Sequence, residues 1–291
     1  MQVVFHLGAH ASDEDRLVKT LLRNRATLNG SGLVVPPPKR YRMLLRDTLL
    51  ELRGAPADSA KQQEVLAAVS DINPPDRIFF SHEFFTCIPQ RVITEAGFYT
   101  MAQAKLKPLA NLFPEAEIEF HFALVNPATL VPALIQRIEG ASYESVMVGN
   151  DPRALRWLPV IRQMAEVSKS HKLVLWCHED TPLIWPEILR HITHLPQEAA
   201  FEGDFAILAT IMSPEGLDRL RAYLSEHSPK TIAHRRKIVA VFLEKFGLRD
   251  KIEIEVPLPG WTDDLVTEIT ANYDADVAEI ATMDGVEFIA P

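Results

Sequence analysis

The chain has 291 residues, of which 47% are hydrophobic and 24% charged, and its formal net charge is −9. That composition belongs to a globular protein able to bury a sizeable core. The negative balance speaks against a general nucleic-acid binder, and no apolar run reaches the roughly 18 residues that a membrane-spanning helix needs.

Met1 to His6 lacks the basic start and long apolar stretch of a signal peptide. Cys87 and Cys177 supply neither a disulfide framework nor a zinc spacing, so the expected setting is a reducing cytoplasm.

Val3 to Leu7 is a short β-type run closed by Gly8. Ala9-His10-Ala11-Ser12 then turns into a helix carrying Leu17, Val18, Leu21 and Leu22 on one side. Pro36-Pro37-Pro38 forces an extended break. Helices are predicted over 43–53 and 60–69, and a second strand over Arg77 to Phe80, ending at Ser81-His82-Glu83. A helix over 100–112 is stopped by Pro114. Ile118 to Val125 forms a third strand, and a helix runs from Asn126-Pro127 to about Glu139. A helix over 153–167 precedes a fourth strand, Lys172 to Cys177, which ends at His178-Glu179-Asp180. Further helices are predicted over 184–194, 214–225 and 230–246.

The last helix is predicted over 263–283, with Leu265, Ile269, Tyr273, Val277 and Ile280 as its apolar stripe. From residue 257 onward there are eight acids and no Lys or Arg, which predicts an acidic face in water.

Strands alternating with helices imply βαβ units. The expected fold is a single three-layer α/β domain over residues 1–291, with a mainly parallel central sheet. Ligands bind outside the carboxyl ends of the strands in such a sheet. The residues to read together are therefore Gly8 to Asp13, Ser81 to Glu83, Asn126, and His178 to Asp180.

Phe5-His6-Leu7-Gly8-Ala9-His10, followed by a helix, resembles the first strand and loop of bacterial sulfotransferase-like proteins. That family reads hydrophobic-His-hydrophobic-Gly-x-His-Lys-Thr-Gly-Thr-Thr at this place. Phe80-Ser81-His82-Glu83 resembles its strand ending in Ser-x-Glu, and Phe122 to Pro127 resembles its strand ending in Arg-Asp-Pro. Leu175 to Asp180 resembles its Tyr-Glu-Asp strand end, and Asn272 to Asp276 its closing helix. The pieces span most of the chain in the family's order. The resemblance implies a P-loop-like fold and sulfuryl transfer from 3′-phosphoadenosine-5′-phosphosulfate (PAPS) to a small-molecule or glycan hydroxyl or amine. It places the donor at Gly8, Ala9, His10, Ala11, Ser12 and Asp13, and a catalytic base at Glu83 or His82. Charge and hydropathy point to neither nucleic acid nor membrane as a partner.

A loop before a helix aims backbone N–H groups at a phosphate, and the helix N-terminus favours negative charge. Here the family's lysine falls on Ala11, its glycine on Asp13 and its two threonines on Glu14 and Asp15. Three carboxylates thus stand where an anion should bind, and each like-charge contact at about 4 Å costs roughly 1 kcal/mol in water. Ser12-Asp13-Glu14-Asp15 also matches a helix-capping pattern, with Ser12 as N-cap. The family's 3′-phosphate arginine falls on Val125 and its aspartate on Asn126. Replacement cations are available in Arg40, Arg42 and Arg46, or in Arg235, Arg236 and Lys237.

Glu83 reads either as a base that activates an acceptor hydroxyl or as a polar strand end bonded to a neighbouring loop. Convergence of His10, Asp13, His82, Glu83, His178, Glu179 and Asp180 would instead suit a metal-dependent hydrolase, although no His-Glu-x-x-His spacing supports one. His6 and His121 lie inside apolar strands and read as core histidines. The four tryptophans read as packing, and neither Gly-x-Ser-x-Gly nor Gly-x-Gly-x-x-Gly occurs.

Overall fold

The computed structural model describes residues 1–72, 74–197, 199, 201–252 and 258–291. Six strands form one parallel sheet: β1 (Gln2–His6), β2 (Leu33–Val34), β3 (Arg77–Ser81), β4 (Glu117–Leu124), β5 (Lys172–Cys177) and β6 (Val286–Phe288). Their order across the sheet is β2-β3-β1-β4-β5-β6. A separate two-stranded hairpin joins Ile93–Thr94 to Gly97–Phe98.

The main helices are α1 (Arg16–Arg23), α2 (Pro38–Leu52), α3 (Ser59–Val69), α4 (Ala102–Ala110), α5 (Pro127–Arg137), α6 (Trp157–Val167), α7 (Thr181–Thr193), α8 (Pro214–Glu226), α9 (Ile232–Phe246) and α10 (Asp263–Ile280). Among the described residues, no helix is long and apolar enough to cross a membrane.

The strands are apolar on both faces because both faces are covered. Side chains alternate across the pleat. Phe5, Phe80, Phe120 and Phe122 therefore face a core closed by α2 to α6 and α10. Val4, Phe79, Val174 and Trp176 face a second core closed by α1 and α7. This is the expected three-layer arrangement. A third apolar cluster, around Leu208, Met212, Leu217, Leu220 and Val239, lies under α8 and α9.

Several boundaries move from their expected places for local reasons. Pro38 opens α2 instead of extending a break, because its fixed φ suits the first helical position. The last helix ends at Ile280; Gly285, at φ 80°, then turns the chain into β6. The expected acidic face of α10 is only partly in water. Asp276 is buried, pairs with Arg156 and accepts from the backbone N–H of Trp157 at 2.8 Å. Arg153 and Arg162 pair with Glu268 and Glu279 on the same helix.

From β1 the chain crosses toward β2, whereas from β4 it crosses toward β5. The switch point of the sheet therefore lies between β1 and β4, at the carboxyl ends of the strands.

Candidate functional site

The loop after β1 occupies that switch point. Its ladder with β4 continues past His6: Leu7 N–H donates to His121 O at 2.9 Å and Ala9 N–H to Ala123 O at 3.0 Å. Gly8 has φ +108°, and a Cβ there would sit 3.2 Å from His10 N and 3.4 Å from Glu83 Cα. Only glycine takes that backbone shape without strain. Ala11, Glu14 and Asp15 also have positive φ, at 62°, 50° and 64°.

This backbone delays the helix. α1 starts at Arg16, and Ser12 is not its N-cap. The Ser12 hydroxyl instead donates to the Ala9 carbonyl at 2.7 Å. Asp13 does the capping work, accepting from Leu17 N–H at 2.8 Å. Tertiary contacts override the local capping pattern.

His10 is fully buried and locks the loop. Its Nε2 lies 3.0 Å from the Cys87 carbonyl, which can only accept, so this nitrogen carries the proton. Its Nδ1 then accepts from the Tyr99 hydroxyl at 2.8 Å, and the His10 backbone N–H donates to the same oxygen at 3.0 Å. Burial holds this imidazole down to about 4. Tyr99, at the end of the hairpin, has φ 47°, an uncommon conformation for an aromatic residue.

Glu83 closes the loop from the β3 side. Both of its oxygens accept from Arg137 Nη1, at 2.8 and 2.7 Å, and Oε2 also accepts from Ala11 N–H at 3.3 Å. Arg137 stands 3.6 Å from Glu14 as well. It is the last residue of α5, 54 residues from Glu83, and nothing local marks it in the sequence.

Arg42 pairs with Asp15 and donates to the Ser81 carbonyl at 3.0 Å. Although burial pushes the other way, Arg42 holds the Asp15 carboxyl below its usual range. His82 stacks beside Phe84, with ring centroids 4.8 Å apart. Burial, with help from Arg42, lowers its imidazole to about 4.

The crowding expected of Asp13, Glu14 and Asp15 is thus resolved by three means. Arg137 faces Glu14, Arg42 neutralises Asp15, and burial pushes the Asp13 carboxyl up to about 7. A raised carboxyl contributes stability that is complete at acid pH and lost as pH rises through 7. Asp13→Asn keeps an acceptor for Leu17 N–H and removes that loss. The variant's advantage over the wild type should be small at pH 4 and grow by at most about 1.4 kcal/mol per pH unit up to about 7, read by urea denaturation at pH 4 and pH 8. An equal change at both would show that Asp13 titrates normally.

The remaining strand-end residues form a second group. Asn126 caps α5, accepting from Ala128 N–H at 2.9 Å and donating to Thr270 Oγ1 at 3.0 Å. Glu179 accepts from Asn126 N–H and from the Tyr273 hydroxyl, both at 2.8 Å. Val125 is buried, and its carbonyl accepts from Trp157 Nε1 at 2.8 Å. Burial lowers the His178 imidazole.

The broad convergence that a metal site would need is missing: among the described residues, no group of three or more His, Cys, Asp or Glu is arranged to hold a metal ion. Of the alternative cations, Arg42 reaches the loop. Arg40 pairs with Asp71, Arg46 with Asp47 and Arg235 with Glu187, while Arg236 donates to the Ala290 carbonyl. His6 is a core histidine, bonded to Ser81 Oγ at 2.9 Å and stacked on Trp176.

No family model, no curated protein and no solved structure matches the chain.

Proposed function

We propose that the protein is a non-catalytic, ligand-binding relative of the sulfotransferase-like α/β proteins, in which the donor loop has become a closed structural turn. One arrangement carries this reading. Glu83, where a base would act, is held by Arg137 and at the same time accepts the Ala11 N–H that would face a phosphate. Both Glu83 oxygens are already engaged by Arg137 Nη1 and so do not face an acceptor hydroxyl, and a loop donor already bonded to a carboxylate is not free for an anion.

The residues at the other donor positions fit PAPS no better. The lysine position is Ala11, and the 3′-phosphate arginine position is the buried Val125. Asn126 spends its side chain on capping α5.

Titration with 3′-phosphoadenosine-5′-phosphate by calorimetry tests the reading. No saturable heat is expected up to about 1 mM. Micromolar binding by the wild type would overturn it.

A second reading, sulfuryl transfer, draws its support from Arg137, a cation beside the loop that lacks the family's lysine. Glu83→Gln separates the two. Under the transferase reading, the freed Arg137 meets the nucleotide and binding strengthens. Under the closed-turn reading, only Ala11→Lys with Asp13→Gly has any prospect of restoring it.

A further inference from the structure

On the other side of Phe84 from the loop, α2, the segment 83–91 and α4 enclose a groove of about 670 Å3. Its floor is apolar. Met43 and Leu50 on α2, with Phe84 and Ile88 on the segment, are 57%, 68%, 42% and 47% exposed. Large apolar side chains gathered on one exposed face mark a binding surface.

The rim is entirely basic. Arg42, Arg46, Arg53, Arg91 and Lys105 line the groove and no carboxylate does, although the chain holds 39 acidic residues against 30 Lys and Arg. Arg42 and Arg46 have Asp15 and Asp47 beside them. Among the described residues, no carboxylate lies within ion-pair distance of Arg53, Arg91 or Lys105. On α2 and the residue that caps it the two characters interleave at helical spacing, as Met43, Arg46, Leu50 and Arg53.

We propose that this groove binds a single-chain anionic amphiphile: an acyl chain on the floor, and a carboxylate or phosphate head at Arg53, Arg91 and Lys105. An apolar chain accounts for the exposed floor, and a negative head accounts for a one-sign rim on an acidic protein. The enclosed volume lies within the roughly 300–1,000 Å3 of small-molecule sites. Three walls suit one molecule better than the flat surface of a bilayer. The groove shares Arg42, His82 and Cys87 with the surroundings of the loop, but its proposed head-group cations Arg53, Arg91 and Lys105 hold none of the loop's contacts, so failure here leaves the closed-turn reading standing, and the reverse.

The test titrates delipidated protein by calorimetry with dodecanoate and dodecyl phosphate, below their micellar concentrations. Dodecylphosphocholine serves as the zwitterionic control with the same chain. Saturable binding of both anions at one site is expected, with the control about tenfold or more weaker. Arg53→Gln, Arg91→Gln and Lys105→Gln together should weaken the anions by about tenfold or more and leave the control unchanged. Leu50→Asp should weaken all three ligands. Leu50, Arg53 and Arg91 are exposed and Lys105 is half-buried, and circular dichroism checks that the variants fold. The proposal fails if neither anion binds below about 1 mM, or if the triple variant binds them as the wild type does. It also fails if the protein binds only phosphatidylglycerol vesicles, which would make the groove a bilayer surface. Dimerisation abolished by Leu50→Asp, with no amphiphile bound, would assign the groove to a second copy and would equally sink it.

Discussion

Arg77→Ala should lower the free energy of unfolding by about 3–5 kcal/mol, because it breaks a buried ion pair by removing one partner. Arg77 and Glu119 are 4% and 3% exposed and meet through two hydrogen bonds, at 3.1 and 2.7 Å. The guanidinium also donates to Gln2 Oε1 at 2.7 Å and to the Ile192 carbonyl at 2.8 Å, so it ties β3 to β1 and α7. Without it, Glu119 keeps His121 at 3.2 Å, and its next cation is Lys172 at 3.7 Å.

Burial pushes Glu119 up, but His121 and Arg77 outweigh it and hold the carboxyl well below the usual range. The sign follows: the pair contributes stability above the ordinary glutamate pKa, and that contribution is lost as pH falls below it. Urea denaturation at pH 7 gives the cost. The double change Arg77→Met with Glu119→Leu should recover most of it, since an apolar pair of similar volume leaves no stranded charge. A single-variant cost below about 1 kcal/mol would place the pair among ordinary surface ion pairs.

His10→Ala should cost about 3 kcal/mol, since the Cys87 carbonyl loses its donor, the Tyr99 hydroxyl loses its acceptor, and a cavity opens. The same residue sets an acid sensitivity. Burial lowers His10 and His82 to about 4 and His6 to about 3. For a base with a depressed folded value, the unfolded chain takes up protons first. Stability is therefore complete above about pH 6.5 and falls toward pH 4, by at most about 1.4 kcal/mol per pH unit for each histidine. Asp13, with its raised carboxyl, works in the opposite direction between its ordinary value and about 7. Burial also lowers His121, His171, His178 and His194 and raises Asp180, so lowered histidines outnumber raised carboxyls and leave a net loss in acid. Denaturation midpoints from pH 7 to 4.5 should fall steadily in the wild type and less steeply in His10→Ala. Parallel slopes would mean that His10 is not protonated on unfolding.

The inner strands were legible in the sequence because each is a mostly apolar, β-type run with a polar stop, even though β4 carries Glu119 and His121 inside it. Arg77 to Phe80 and Lys172 to Cys177 lie where periodicity puts them. β2 and β6, of two and three residues, are too short to carry a period. The place of the loop was equally legible, but its chemistry was not. Ser12-Asp13-Glu14-Asp15 is a good local cap, yet Arg42, Arg137 and Glu83 reach it from three other elements and set its backbone. Asp276 misled for the same reason: an acid in an acidic helix reads as solvated until Arg156 and the Trp157 N–H are brought against it. Arg137 and Tyr99 carry no local signal, because their partners lie 54 and 89 residues away.

The brevity of the two outer strands has its own consequence. A strand edge offers unpaired N–H and C=O groups to any extended chain that comes near, and long flat edges nucleate aggregation. With Leu33–Val34 at one border and Val286–Phe288 at the other, this sheet offers two and three residues of template. Another chain has too little backbone there to zip onto, so self-association of this protein through its sheet borders is disfavoured from both sides.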